Sequence, residues 1–281
     1  MSAAHTGLAR AMRHPSFAVG ATLTALLVLV AVVSLVWTPY SPTEIDMTAK
    51  LAPPSAEHWL GQDAFGRDVL SQAMTGAQIS ILVGVVAVGL GVTAGVALGA
   101  FAAAEGGWVD EIAMRLTDFT FAFPALITAI MLTAVFGPGT VISILAIGIF
   151  NIPIFARVTR ASARTVWTRE YVTAARASGK GKLRITLDHV LPNCLAPLIV
   201  QATIQFGNAI LFEAAFSYLG FGTQPPNPSW GRMLNGAQSQ LFAAPWLAVY
   251  PGLAIMLAVL GLNLMGDGLR DLLDPRLARS R

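Results

Sequence analysis

Charge is what this sequence has least of. Asp, Glu, Lys and Arg make up 12% of its 281 residues, and 55% are hydrophobic, against roughly 25% charged in an ordinary soluble domain. A soluble enzyme is a poor fit to that balance. Cysteine occurs once, as Cys194, so no internal disulfide can form, and at the edge of an apolar segment it says nothing about redox compartment. The four histidines, His5, His14, His58 and His189, are scattered without metal-ligand spacing. No apolar segment holds a His or carboxylate pair, which leaves a membrane-embedded metalloenzyme without a candidate centre. A phosphate-binding loop of the form GxxxxGK[ST] is also missing: Gly179-Lys180-Gly181-Lys182 has neither the spacing nor the following hydroxyl residue.

What the sequence has instead is long uncharged runs. Between Arg13 and Glu44 no charged residue occurs, and residues 17–37 read as a first transmembrane helix closed by Pro39. A cleaved signal peptide would carry a shorter apolar region of about 7 to 15 residues ending at a small-residue site; this run ends in Trp-Thr-Pro. A second uncharged window covers residues 69–104, with residues 79–103 as its continuous apolar part. The third, residues 119–156, is too long for one crossing and contains Phe136-Gly137-Pro138-Gly139, so it reads as two helices joined by that turn. Residues 194–218 and 246–266 complete six spans, which at about 20 residues each occupy about 120 residues of the chain. The resulting division is a segment 1–16, a first span 17–37, a loop 38–78, a transmembrane domain 79–267 that includes a polar loop 157–193, and a tail 268–281.

Orientation follows from where Lys and Arg sit, because positive charge beside helix ends is retained in the cytoplasm. With the N-terminus inside, fifteen of the eighteen basic residues fall on the inner side, and Lys50, Arg67 and Arg232 on the outer. Both termini are then cytoplasmic. The basic residues lie beside spans and carry no RNA- or DNA-binding motif, so no nucleic-acid partner is expected.

Within the spans three features stand out. Gly91, Gly95 and Gly99 form two overlapping GxxxG units, a seam for close helix packing. Gln201, Gln205 and Asn208 recur at i, i+4 and i+7, within an arc of about 60° on one helix face. Amides are costly toward lipid, so this face meets protein or water; interhelical hydrogen bonding and the lining of a polar pathway both account for it. Glu213 lies in an apolar stretch toward the outer end of the same helix, with no Lys or Arg in a span to pair with it. It is a functional candidate, or a cap or pairing group for a neighbouring helix.

The polar loop 157–193 holds eight of the eighteen basic residues. Residues 158–178 are helix-compatible throughout, and Gly179 supplies a left-handed stop. A short second helix is expected over 183–190, ended by Pro192, with Leu183, Leu187 and Val190 on one face. The element would project from the membrane and present an apolar knuckle, either to a groove in a partner or to anionic lipid.

Glu170-Tyr171-Val-Thr173-Ala174-Ala175-Arg-Ala-Ser-Gly179, followed after nine residues by His189-Val190-Leu191-Pro192-Asn193, resembles the EAA loop of bacterial ABC importer permeases. Thr173 stands where the general motif has an acidic residue and His189 where it has Ile, as in the peptide-importer branch. Four further blocks extend the match in order: residues 58–68, with Gln62 in place of a more usual Thr, residues 213–220, residues 224–231, and residues 263–276. Together with the single helix before the first long loop, they look like the C-type permease subunit of a bacterial dipeptide, oligopeptide or nickel importer.

The resemblance implies an all-α integral membrane protein of the type I ABC importer permease fold in the plasma or inner membrane. It implies import of short peptides, with nickel chelates or haem as alternatives within the family. A secondary transporter or channel is the rival outside it, but that would need charged relays or broken helices near the midplane, of which the sequence offers almost none beyond Glu213. The chain itself is expected to bind no cofactor and catalyse no reaction. ATP and Mg would be used by two ABC ATPase subunits, beside a second homologous permease and an extracytoplasmic substrate-binding protein. Glu170, Tyr171, Ala174, Ala175, Gly179, Leu191 and Pro192 would form the ATPase-coupling loop, and Gln201, Gln205, Asn208 and Glu213 are candidate pathway residues. Asp267, Asp271, Asp274 and Arg276 are read as anchoring the last helix at the interface.

Overall fold

The computed structural model describes residues 14–273; the segment before His14, the end of the tail, and with it Asp274 and Arg276, lie outside the described residues. The described chain is helical: α1 (Pro15–Val36), α2 (Val69–Glu105), α3 (Gly107–Phe121), α4 (Ala125–Phe136), α5 (Thr140–Trp167), α6 (Glu170–Ala177), α7 (Lys182–Ile185), α8 (Leu191–Tyr218), α9 (Trp230–Ala237) and α10 (Trp246–Leu273). Five of these segments are long and apolar enough to cross a membrane, with α7 and α8 running as one, and α3 with α4 makes a sixth if that bent pair is one span. The crossings alternate, so the bundle has a loop end, carrying residues 37–68 and 219–245, and a knuckle end, carrying residues 168–181. The start of α1 and the end of α10 meet at the knuckle end, where His14 Nε2 lies 3.3 Å from Asp271 Oδ2.

The central contact is α2 on α5, and the glycine seam makes it. A Cβ at Gly91 would strike Asn151, one at Gly95 would meet Ile152 O at 2.5 Å, and one at Gly99 would strike Ala156 O. Backbone thus packs on backbone, as the GxxxG spacing predicts. Gly89, on another face of α2, has nothing within 4 Å of such a Cβ. Around this pair Val83, Ala87, Ile147, Phe155, Ala209 and Phe216 form the buried core.

Several boundaries differ from the sequence expectation. The loop 38–78 gives up its last ten residues to α2, because Asp68 caps the helix: its carboxylate accepts Ser71 N–H at 2.7 Å and Ser71 O–H at 2.6 Å. The turn at residues 136–139 is where it was placed, but the third crossing begins at Gly107 and is broken, α3 and α4 meeting at 79° across Ala122–Pro124. Pro124 has no N–H to continue the helix, and α4 alone, at about 18 Å, is too short to cross the membrane core. This is a broken helix where almost none was expected. Near its two ends α3 is held to α5, by Arg160 on Asp110 and by Arg157 Nη2 to Asp118 Oδ1 at 2.5 Å.

The polar loop is shorter than residues 157–193. Its first eleven residues belong to α5, and from Lys182 onward the chain is again helical. A single helix over 158–178 does not form; the chain breaks at Thr168–Arg169 and restarts as α6. Pro192 does not end a helix either. A π-helical turn, Thr186–Val190, joins α7 to α8, which gives the proline ring room, and Asn193 Nδ2 donates to His189 O at 2.6 Å. That wider turn also breaks the expected apolar face: Leu183 and Leu187 are exposed, but Val190 is fully buried in the core.

Candidate functional site: the knuckle and the amide face

The knuckle is α6 with the turn that follows it. Arg169 is the extended residue before the helix and Glu170 occupies its first turn, where a carboxylate suits the positive end of the helix dipole. Gly179, at φ +80°, closes it. Gly179 N–H donates to Arg176 O at 2.9 Å and Lys180 N–H to Ala175 O at 3.2 Å, the two bonds of a Schellman ending. The glycine stop read from the sequence is thus present.

One face of α6 is anchored. Val172 is fully buried and Ala175 nearly so, both in the same core as α2 and α5. The Arg176 guanidinium lies 4.8 Å over the Trp167 ring. The chain after Gly179 is fastened by Lys182 Nζ to Glu105 Oε2 at 2.8 Å, and Lys180 Nζ reaches Asp188 and His189. The other face is open: Glu170, Tyr171 and Ala174 are exposed, as are Leu183 and Leu187 on the adjoining turn. Leu191 is half-buried and Pro192 exposed at the start of α8. Neither Trp167 nor Glu105 was singled out in the sequence: Glu105 acts from a helix distant in the chain, and Trp167 from across the break at Thr168–Arg169.

The amide face of α8 is a bonded network. Gln205 is buried and donates Nε2–H to Asn151 Oδ1 on α5 at 2.7 Å. Its own Oε1 accepts from Asn208 Nδ2 at 3.0 Å and from Gln201 Nε2 at 3.4 Å. Gln201 and Asn208 stay half-buried. Asn151 was missed, although it is the one amide in the window 119–156; its Nδ2 has no partner among the described residues.

Glu213 has no solvent exposure. Its Oε1 accepts the hydroxyls of Ser217 at 2.6 Å and Thr223 at 3.2 Å, and Thr223 N–H in turn donates to Ser217 Oγ at 2.8 Å. The carboxyl group therefore ties the chain after α8 back onto the helix. Trp230 continues this fastening: its indole N–H donates to Ala73 O on α2 at 2.9 Å, with the ring seated over Gly76.

The first long loop is folded around carboxylates. His58 Nδ1 lies 2.9 Å from Asp68 Oδ1, and the Tyr40 and His58 rings pack at 4.3 Å. The Thr48 hydroxyl and N–H bonded to Asp46 hold that carboxyl below the usual carboxylate range. Among the described residues no group of His, Cys, Asp and Glu is placed to hold a metal ion.

The model for the binding-protein-dependent transport system inner membrane component matches residues 95–279. Among curated proteins, the chain is 44% identical over 271 residues to a di/tripeptide transport system permease protein of Pseudomonas aeruginosa, covering 94% of this chain and 89% of that one. It is 42% identical over 259 residues to a dipeptide transport system permease protein of Alkalihalophilus pseudofirmus, covering 92% and 85%. It is also 41% identical over 270 residues to a glutathione transport system permease protein of Escherichia coli, covering 95% and 89%.

Proposed function

From the premise that this chain belongs to the family of binding-protein-dependent transport system inner membrane components, we propose that it forms half of the translocation pathway of an ATP-driven importer of short peptides. The family makes it a multi-pass inner membrane permease subunit rather than an enzyme, working with ATPase and substrate-binding partners. Two ATPase subunits, one second permease and one extracytoplasmic binding protein complete the proposed assembly, with ATP and Mg held by the ATPases. The peptide cargo is supported by relatives named for dipeptides, di/tripeptides and glutathione. The knuckle end is the cytoplasmic end in this reading, supported by the fifteen-to-three distribution of Lys and Arg.

The observation that carries the proposal is the two-faced geometry of α6. Val172 and Ala175 lock it to the core of the bundle, while Tyr171, Ala174, Leu183 and Leu187 face outward beside it. A helix anchored on one side and open on the other, with Leu183 and Leu187 beside it, would transmit a push from a partner's groove into the bundle core without melting. Closure of the ATPases on ATP would move these elements as near-rigid bodies and open the pathway to the loop end, a hinge or shear type of switch. Gln201, Gln205, Asn208 and Glu213 belong to the proposed pathway helix; Gln205 sets its register against α5, and the half-buried Gln201 and Asn208 are the ones free to face a solute. The bend between α3 and α4 does not favour a secondary transporter, since Ala122-Phe123-Pro124 bears no ionisable group.

The test is affinity purification of the tagged chain in mild detergent, with mass spectrometry and an ATPase assay on the eluate. Recovery of a homologous permease and ATPase subunits with vanadate-sensitive hydrolysis is expected. A homo-oligomer without hydrolysis would contradict the proposal.

A further inference from the structure

The loop end of the bundle contains a cavity of about 290 Å³, walled by the first long loop, the start of α2, the Pro225–Pro228 turn and α9. This is near the lower end of the size range for small-ligand sites. Its apolar surface includes Phe65, Val69, Met233 and Leu247, and two guanidinium groups, Arg67 and Arg232, border it.

The two arginines differ in their surroundings. Arg67 is satisfied by Asp63: Nε donates to Oδ2 at 2.7 Å and Nη2 lies 2.6 Å from the same oxygen. Gln72 Nε2 adds a third donor to Oδ2 at 3.1 Å, and the backbone N–H groups of Phe65 and Arg67 fill Oδ1. That carboxylate is fully engaged and has nothing left to offer Arg232. Arg232 is half-buried, and its side chain's one hydrogen bond among the described residues is a long one, 3.4 Å, to the neutral amide oxygen of Asn235. No carboxylate among the described residues lies within ion-pair distance of it. A guanidinium offers five N–H donors in a planar fork that matches a carboxylate bidentately, and partial burial raises the cost of leaving it without a counter-charge.

We propose that this cavity binds a small molecule carrying a carboxylate on an apolar arm, the carboxylate on Arg232 and the arm against Phe65, Met233 and Leu247. An inorganic anion would match the arginine and leave the apolar walls uncovered, and a neutral apolar molecule would do the reverse. The site does not depend on the cargo or the orientation given above.

N-acetyl-leucine is a suitable probe, with N-acetyl-leucinamide as its uncharged counterpart and acetate as the armless one, each titrated by ligand-observed NMR against the chain in lipid nanodiscs with its partner subunits. Saturable binding of N-acetyl-leucine is expected, at least tenfold tighter than that of either comparison compound. Arg232→Gln should weaken it at least tenfold. Gly236→Phe, at a cavity-lining position where an added Cβ meets nothing within 4 Å, should block it while leaving the arginine in place. Absence of saturable binding, equal binding of the amide or of acetate, or unchanged binding in both variants overturns the proposal.

Discussion

Gln205 of α8 and Asn151 of α5 share a buried hydrogen bond of 2.7 Å between two membrane-crossing helices. Its acceptor belongs to the residue that packs on Gly91, one of the three glycines of the α2 seam, so one amide pair fixes α8 against the pair of helices on which the bundle is built. Gln205 also gathers Gln201 and Asn208 onto its own oxygen. The three-amide face is therefore both a helix-pairing device and, at its two outer members, a polar strip.

Removing half of that pair should cost more than removing both. Gln205→Leu leaves Asn151 without its partner in a water-poor interior and is expected to destabilise the bundle by about 1 kcal/mol, between the roughly 0.6 kcal/mol average for hydrogen bonds between membrane helices and the penalty for an orphaned buried polar group. Adding Asn151→Leu should recover part of the loss. Unfolding in mixed micelles measures both, and a double variant no more stable than Gln205→Leu alone would contradict the pairing.

The seam on α2 makes a positional prediction. Gly99→Leu should prevent the close approach to Ala156 and lower the yield of folded protein severely, whereas Gly89→Leu on the open face should be tolerated within about 0.5 kcal/mol. Thermal scans of the two proteins in one detergent decide it; equal behaviour would remove the seam from the account.

Glu213 is expected to act as a hydrogen-bond acceptor for the chain that follows α8. Glu213→Gln keeps an amide oxygen for Ser217 and Thr223 and should retain most of the stability. Glu213→Leu leaves both hydroxyls without their acceptor, at about 1–3 kcal/mol, and should open residues 222–229 to proteolysis. If the leucine variant protects that segment as well as wild type does, the carboxyl group is not what holds it.

The knuckle has its own test. Gly179→Pro forbids φ +80° and removes the N–H bonded to Arg176, and Ala175→Asp puts a charge against the core. Both variants should insert into the membrane yet lose substrate-stimulated ATP hydrolysis when reconstituted with their partners. Normal stimulated hydrolysis in both would contradict the coupling role of α6.

The crossings and the knuckle were legible in the sequence because composition and a few strong local signals specify them. Uncharged length marked every span but the third, whose start at Gly107 lies in a stretch holding Asp110, Glu111, Arg115 and Asp118; Gly137-Pro138-Gly139 marked the turn, and Gly179 the end of α6. What could not be read depends on partners distant in the chain or on non-standard helical turns. The packing of Asn151 on Gln205 and of Trp230 on Ala73 joins helices whose relative rotation no single window contains. Val190 was placed on the exposed face because a 3.6-residue period was carried through Thr186–Val190, where the π turn changes it. Asp68 was the exception: a carboxylate ahead of an uncharged run is a readable N-cap, and it moved the start of α2 by ten residues.

The central claim is that this chain moves peptides inward at the expense of ATP through partners that grip α6. Its most direct test is uptake of a radiolabelled dipeptide into proteoliposomes holding the purified complex, with the binding protein added outside and ATP enclosed. Uptake that requires ATP and the binding protein, and that disappears with Gly179→Pro while the complex stays assembled, is the predicted result. Uptake that follows an imposed proton or sodium gradient without ATP would contradict it.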